Sequence, residues 1–309
     1  MTQRPTYADP QRYIELAGFR GTWRDLWWNR DFLDLISRRL EIDASGDVLD
    51  AGCGAGHWGR ALLPYLGPHA RLTGVDPEEA FLELARAGTD PARSSFVTGT
   101  AEALPFADDS FDLVTCQTLL IHVRDPSMAI AEMMRVLRPG GVLLAVEPDN
   151  RAGNIALLGG EPRPSDEDIL TILDLLLRCD RGKLALGEGD QSIGGRVAGL
   201  FAAAGIGEVV AYTNDRCMSV YPPYERGDMK VALEQELAWS ADEVSILCGS
   251  RDDNERFFEA GGGTPAQFHT CWAAVERWMA LVREGIERGE YHAARGFVMY
   301  LTAGRKAER

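Results

Sequence analysis

The sequence has no stretch approaching the roughly 20 consecutive apolar residues that cross a bilayer, which argues against a helical membrane span. Its opening residues, MTQRPTYADPQRY, are polar and lack the apolar centre of a secretory signal. A cytoplasmic protein is the expectation. The six cysteines, Cys53, Cys116, Cys179, Cys217, Cys248 and Cys271, include no CxxC pair and have no metal-ligand spacing with histidine. Reduced thiols and no bound metal follow. There is no GxSxG nucleophile turn, no internal repeat and no low-complexity segment. Positive charge is in short supply: 32 Lys and Arg face 47 Asp and Glu, a net charge of −15. The excess is spread along the chain, and a field of that sign repels phosphate backbones and anionic lipid surfaces. Neither nucleic acid nor a membrane is expected as partner. A neutral or cationic small molecule fits better than an anionic one.

The 309 residues suffice for two domains, or one with large insertions, and the 45% apolar fraction is that of an ordinary globular protein. Residues 1–44 are rich in Trp and Arg, then place Phe32, Leu33, Ile36 and Leu40 at helical spacing. This segment reads as a helical cover. Short apolar or branched runs follow at 48–51, 71–75, 95–97, 113–116 and 142–146, separated by helical stretches such as 78–86 and 127–137. Such alternation implies an α/β fold, with a mostly parallel, Rossmann-like sheet flanked by helices. Beyond Asp149, Ser165 caps an apolar helix to about Arg178, and Glu208–Thr213 reads as a strand. Residues 214–290 are mainly helical. Thr264-Pro265-Ala266-Gln267 starts a helix whose stripe of Phe268, Cys271, Trp272, Val275, Met279, Val282 and Ile286 reads as core. Gly296–Ala303 reads as a last strand. The expected organisation is a sheet core over 45–213 and 291–309, with a helical insertion at 214–290 placed to act as a substrate lid.

The informative segment is Val48-Leu-Asp-Ala-Gly-Cys-Gly-Ala-Gly56. A strand enters a turn whose glycines let backbone approach a ligand closely, and the next helix presents unpaired N–H groups. About twenty residues on, Val75-Asp76 ends the second strand, where an acidic side chain accepts from ribose hydroxyls. Gly54-Ala-Gly56-His-Trp-Gly59 also satisfies GxGxxG, so these features alone leave a nicotinamide-dependent oxidoreductase open.

Further segments narrow the choice. Asp50-x-Gly52-x-Gly54-x-Gly56, Gly99-Thr-Ala-Glu-Ala-Leu-Pro-Phe106 with Asp109-Ser-Phe-Asp112, Leu119-Leu-Ile-His-Val-Arg-Asp-Pro126 and Arg138-Pro-Gly-Gly141 occur in this order. Together they resemble the class I S-adenosylmethionine-dependent methyltransferases, in particular the UbiE-like, type 11 branch. The resemblance covers about 47–148 strongly. It implies that Asp50 and the backbone of Gly52, Cys53 and Gly54 meet the amino-acid end of S-adenosylmethionine, and that Asp76, followed by Pro77, holds the ribose. Ala101, with Glu102 beside it, would meet the adenine edge, and Gln117 would open toward the methyl donor. Thr100 departs from the Asp of many relatives and offers the adenine amino group a weaker acceptor. S-adenosylhomocysteine would be the product.

His122 follows strand four on the ligand side and is the candidate base or acceptor-positioning group, the alternative being a packed structural histidine. Glu147 and Asp149 follow strand five and are candidates to hold the acceptor, the alternative being capping or turn formation beside Pro148. Tyr221-Pro-Pro-Tyr224 resembles a motif of amino-directed nucleic-acid methyltransferases but stands in the wrong place, and reads as a rigid loop. Asp149-Asn150 lacks the further acid that a metal-dependent catechol methyltransferase would need. The expected function is transfer of a methyl group to O or N of a small molecule. An NAD(P)-dependent oxidoreductase and a non-catalytic S-adenosylmethionine-binding module are the alternatives.

Overall fold

The computed structural model describes Ile14 and residues 22–241, 244–245 and 249–308. The opening residues read above as polar, apart from that one position, and Cys248 lie outside them. A 3-10 turn at Trp23–Trp27 precedes α1 (Arg30–Leu40), β1 (Asp47–Ala51), α2 (His57–Leu62), β2 (Arg71–Asp76), α3 (Glu79–Ala87), β3 (Ser94–Thr98) and β4 (Phe111–Gln117). Then come α4 (Pro126–Val136), β5 (Leu137–Pro148), α5 (Asn150–Leu157), α6 (Asp166–Ala185), α7 (Val197–Ala203), β6 (Gly207–Thr213) and β7 (Met218–Val220). The chain continues through α8 (Gly227–Ala241), β8 (Val244–Ser245), β9 (Gly249–Ser250), α9 (Arg251–Ala260), α10 (Pro265–Glu287), β10 (Ala293–Arg295) and β11 (Met299–Arg305).

Seven strands form one sheet in the order β3-β2-β1-β4-β5-β11-β6. The first five run parallel, and β11 lies antiparallel between β5 and β6. The α/β, mostly parallel fold read from the sequence is the observed one. Side chains alternate across the pleat. Leu49, Val114, Leu143 and Ala145 face α4 and α7, packing on Ile130, Met133, Val197 and Phe201. Val48, Leu113, Leu144 and Val146 face the other layer, against Phe32, Ile36, Trp58 and Leu62. One polar chain crosses that second layer: the Trp58 indole donates to Thr115 Oγ1 (2.8 Å), whose hydroxyl donates to the Leu144 carbonyl (2.8 Å). Arg138-Pro139-Gly140-Gly141 is not a free turn before β5 but its irregular first third, with Gly140 left-handed at φ +76° and the pairing to β4 shifted there.

A second apolar core joins α6, α8, α9 and α10 around Ile172, Cys179, Phe258, Phe268, Trp272 and Val275. This unit draws in a helix from before the boundary expected at 213/214. Helix α6, read as part of the sheet core, runs on to Ala185 and packs into the helical unit. The reason is steric: Gly182 of α6 and Gly261 after α9 let the two backbones touch. The cap at Ser165 and the box joining Thr264 and Gln267 are both formed. The insertion also carries a strand, β7, paired antiparallel with β10.

A Cβ built on Gly182 would lie 1.7 Å from the Phe257 carbonyl oxygen. Overpacking of this kind costs about 1–3 kcal/mol. We expect Gly182→Ala to lower the urea midpoint correspondingly; an unchanged midpoint would show that the helices separate freely.

Candidate functional site

The parallel strands β1, β2 and β4 end at one rim of the sheet, where α/β folds gather ligands. An open cleft with about 730 Å³ of empty space between its walls lies there. It brings together Asp50, Gly52, Cys53, Gly54, Asp76, Pro77, Gln117 and His122, eight of the residues singled out from the sequence. Its floor is the bend after β1. Gly52, Gly54 and Gly56 all have positive φ (+66°, +50° and +75°), which side chains with a Cβ rarely adopt. A Cβ on Gly52 would also sit 2.6 Å from the Leu119 side chain.

Two carboxylates hold the bend. Asp76 Oδ2 accepts the Gly54 amide and its Oδ1 accepts that of Glu78, both at 2.9 Å. Asp50 Oδ2 accepts the Gly59 amide at 3.2 Å, across a helix–strand contact that only a glycine permits, since a Cβ on Gly59 would meet Leu72 at 2.4 Å. Among the described residues Asp50 Oδ1 and Gln117 Nε2 are buried without a hydrogen-bond partner. Burial, and secondarily the charge of Asp76, pushes the Asp50 carboxyl up to about 8, although the Gly59 amide and Arg60 oppose the shift. Burial likewise raises Asp76 to about 6. The cleft therefore holds acidic groups whose ionised forms lack compensation, an arrangement that favours a cation.

Thr100, Ala101 and Glu102 follow β3 and do not line the cleft. They stand next to it in the sheet, with Asp76 paired to Thr98 and its carbonyl accepting the Gly99 amide. His122 lines the cleft, and its amide closes a turn onto the Leu119 carbonyl (2.9 Å). Burial, then the nearby charges of Lys183 and Arg24, drives its pKa well below 6.5, so the imidazole is neutral at pH 7. The glycine-rich loop packs behind it: a Cβ on Gly189 would lie 2.1 Å from the Ile121 carbonyl.

Two candidates for holding the acceptor are engaged by main-chain amides, the alternative left open for them. Glu147 stands near the end of β5. It is fully buried, and it accepts the amides of Leu119 and Leu120 on Oε1 (3.0 and 2.9 Å) and that of Ile121 on Oε2 (3.3 Å). Burial raises its carboxyl to about 7, with those same amides pulling the other way. Asp149 caps α5, accepting the Ala152 amide at 3.1 Å, and does not line the cleft. Both follow from geometry at the end of β5: the chain turns into a helix there, and the loop after β4 needs an acceptor for its amides.

The cleft also includes residues that sequence reasoning passed over: Arg24, His57, Trp58, Glu78, Phe81, Thr118 and Leu119. His57 and Trp58 lie inside the GxGxxG match, Leu119 opens the segment that contains His122, and Glu78 follows Pro77, so these were legible as neighbours although no role was given to them. Arg24 comes from the Trp-rich segment read only as a cover.

A family model described as a methyltransferase domain matches residues 49–145. This span carries the glycine bend, both cleft aspartates and the segment through His122. Over this span the chain resembles the class I S-adenosylmethionine-dependent methyltransferases of the type 11 branch. The likeness to curated proteins extends over little more than a third of the chain. An uncharacterized methyltransferase, YcgJ, from Bacillus subtilis is 39% identical over 120 residues, covering 37% of this chain and 46% of the relative. The demethylmenaquinone methyltransferase of Staphylococcus aureus is 42% identical over 113 residues, covering 36% and 47%. The chain thus spans about half the length of the curated relatives it matches. Among solved structures, the complex of the Haloferax volcanii Trm112 methyltransferase activator with a putative methyltransferase aligns at 18% identity. That match has a TM-score of 0.51 and covers 98% of this chain and 100% of that one, a likeness of fold. No helix among the described residues is long and apolar enough to cross a membrane.

Removing the Glu147 carboxylate strands three buried amides, each costing about 1–3 kcal/mol when unsatisfied. Glu147→Ala should lower stability by about 3 kcal/mol or more in urea and speed hydrogen exchange at Leu119–Ile121. Wild-type protection of those amides would refute the role given to Glu147.

Proposed function

We propose that the protein is an S-adenosylmethionine-dependent methyltransferase acting on O or N of a small molecule, with the cofactor in the cleft over β1, β2 and β4. One observation carries this reading: a glycine bend held by two buried carboxylates, one of them with an oxygen left partnerless. Asp50 would meet the ammonium end of the cofactor, with the backbone at Gly52, Cys53 and Gly54 beside it. Asp76 and Pro77 would border the ribose, and Thr100, Ala101 and Glu102 the adenine. Gln117 would offer its unpartnered amide N–H near the methionine portion. The same acids disfavour NAD, whose pyrophosphate would raise their pKa values further where a cation would lower them.

Bound there, S-adenosylmethionine would supply a methyl cation equivalent, its C–S bond breaking with the electron pair kept by sulfur as the acceptor's lone pair forms the new bond. The chain's contribution is alignment, worth about 7–11 kcal/mol when reacting groups are well placed. His122, neutral and half-buried, is placed to orient an acceptor hydroxyl or amine by a hydrogen bond; its depressed basicity makes it a positioning group rather than a proton store. Arg24 lines the cleft, and the turn that carries it would form part of the wall that keeps water, a competing nucleophile, from the bound cofactor. The helical unit would supply the remaining acceptor wall. Among the relatives, one is named for demethylmenaquinone, so the attacking atom is best read from product analysis.

Calorimetry with S-adenosylmethionine, S-adenosylhomocysteine and NAD tests the assignment. The first two should bind and NAD should not, and Asp76→Ala should weaken both by tenfold or more. Binding of NAD alone would reject the proposal. The pH dependence has a definite sign. The folded carboxyls of Asp50 and Asp76 sit above their ordinary values, so the ligand-free protein loses stability as pH rises from about 4 to about 8. A cationic ligand favours the ionised forms and expels their protons. Affinity for S-adenosylmethionine should therefore rise several-fold between pH 6 and 8, with proton release seen in buffers of different ionisation heat. Asp50→Asn should flatten that rise, and a flat wild-type profile would exclude the coupling.

A further inference from the structure

Helix α6 is apolar on two opposite faces. Ile172, Leu175, Leu176 and Cys179 sink one of them into the helical core. On the far side Leu170, Leu177 and Leu184 stand 69%, 46% and 48% exposed. Residues seven apart differ by only about 20° around a helix, so these three make one stripe, about 21 Å long at 1.5 Å per residue. Half-buried Leu173 borders the stripe on the side toward the core. Single exposed leucines are ordinary on protein surfaces. A heptad of them is different, because a helix that is apolar all round is one that is covered all round. Helix formation does not call for them either, since Lys, Glu or Gln at these positions would favour the helix about as well and suit water better.

The charges beside the stripe indicate what covers it. Asp174 and Arg181 are both exposed, lie on the same flank and have opposite signs, and Leu177 stands midway between them. Each already makes a contact within the chain: Asp174 accepts Arg178 Nε at 2.9 Å, and Arg181 Nη1 donates to the Gly261 carbonyl at 3.3 Å. Both side chains keep solvent-facing capacity beyond those contacts. Consider a second copy of α6 laid antiparallel on the first, with the two-fold axis at Leu177. Leu177 then meets its own counterpart, and Leu170 meets Leu184 of the second copy. On the flank Asp174 meets Arg181 of the second copy, and by symmetry every contact is made twice. A parallel pair would instead set Asp174 against Asp174 and Arg181 against Arg181. An anionic lipid surface would be repelled by Asp166, Glu167 and Asp174 around the same face. A charge pattern balanced about a central leucine is what self-pairing requires, and an unrelated partner gives no reason for it.

We propose that the protein self-associates through α6, the two helices packing antiparallel about a two-fold axis at Leu177. No residue of α6 lines the cofactor cleft, so the contact leaves that cleft open in both copies. Sedimentation velocity of the full chain from about 5 to about 500 µM tests this. The dissociation constant should be on the order of 10 µM, since one helix pair covers less than the roughly 800 Å² per partner of a standard interface. Leu177→Glu puts two carboxylates on the axis and should raise that constant about thirtyfold or more. Asp174→Arg should raise it about fivefold or more, and Asp174→Arg/Arg181→Asp should bring it back to within about twofold of wild type. The single and double variants lose the Arg178 pair alike, so the recovery reports the contact between copies. All three positions are exposed, and the substitutions leave the core untouched. A wild-type chain still monomeric at the top of that range, a dimer indifferent to Leu177→Glu, or a double variant as weak as the single one would overturn the proposal.

Discussion

The cleft depends on backbone amides being gathered by carboxylates that are themselves out of water. Asp76 fixes Gly54 and Glu78, and Asp50 fixes Gly59 across the helix that follows the bend. Without these bonds the bend would have no reason to keep three left-handed glycines at alternate positions. Burying the acids is unfavourable for their charged forms, and that cost is what gives the cleft its appetite for positive charge. Structure and recognition thus draw on the same two side chains.

The sheet places these groups without further help. Parallel strands point their carboxyl ends to one rim, and the order β3-β2-β1-β4-β5 sets Asp76, Asp50 and Gln117 on adjacent strands. The antiparallel β11 starts at that rim, where Met299 pairs with Pro148 at the end of β5. Everything after α5 is therefore arranged around a rim built largely by residues 47–148.

Much of this was legible in the sequence because local rules governed it. The helix caps at Ser165 and Thr264 depend on neighbours three residues away, and the glycine bend, Asp76 and the run from Leu119 to His122 stand in short motifs legible in themselves. Glu147 and Asp149 were left with two readings because their partners are set by tertiary contact: three amides 26 to 28 residues back for the first, a helix start for the second. Helix α6 was assigned to the sheet core for a related reason. Its apolar pattern states that one face is buried but not against what, and the deciding glycines, 182 and 261, lie 79 positions apart. Arg24 could be placed only by folding, since nothing within its own segment refers to the cleft.

Glu147 grips main chain, not side chains, at the segment beyond β4. Main-chain amides are the same whatever residue carries them, so Leu119, Leu120 and Ile121 are free to be exchanged for others of suitable bulk without loosening that grip. Evolution is thereby offered a wall that can be recontoured for a new molecule while its attachment to the sheet stays as it was.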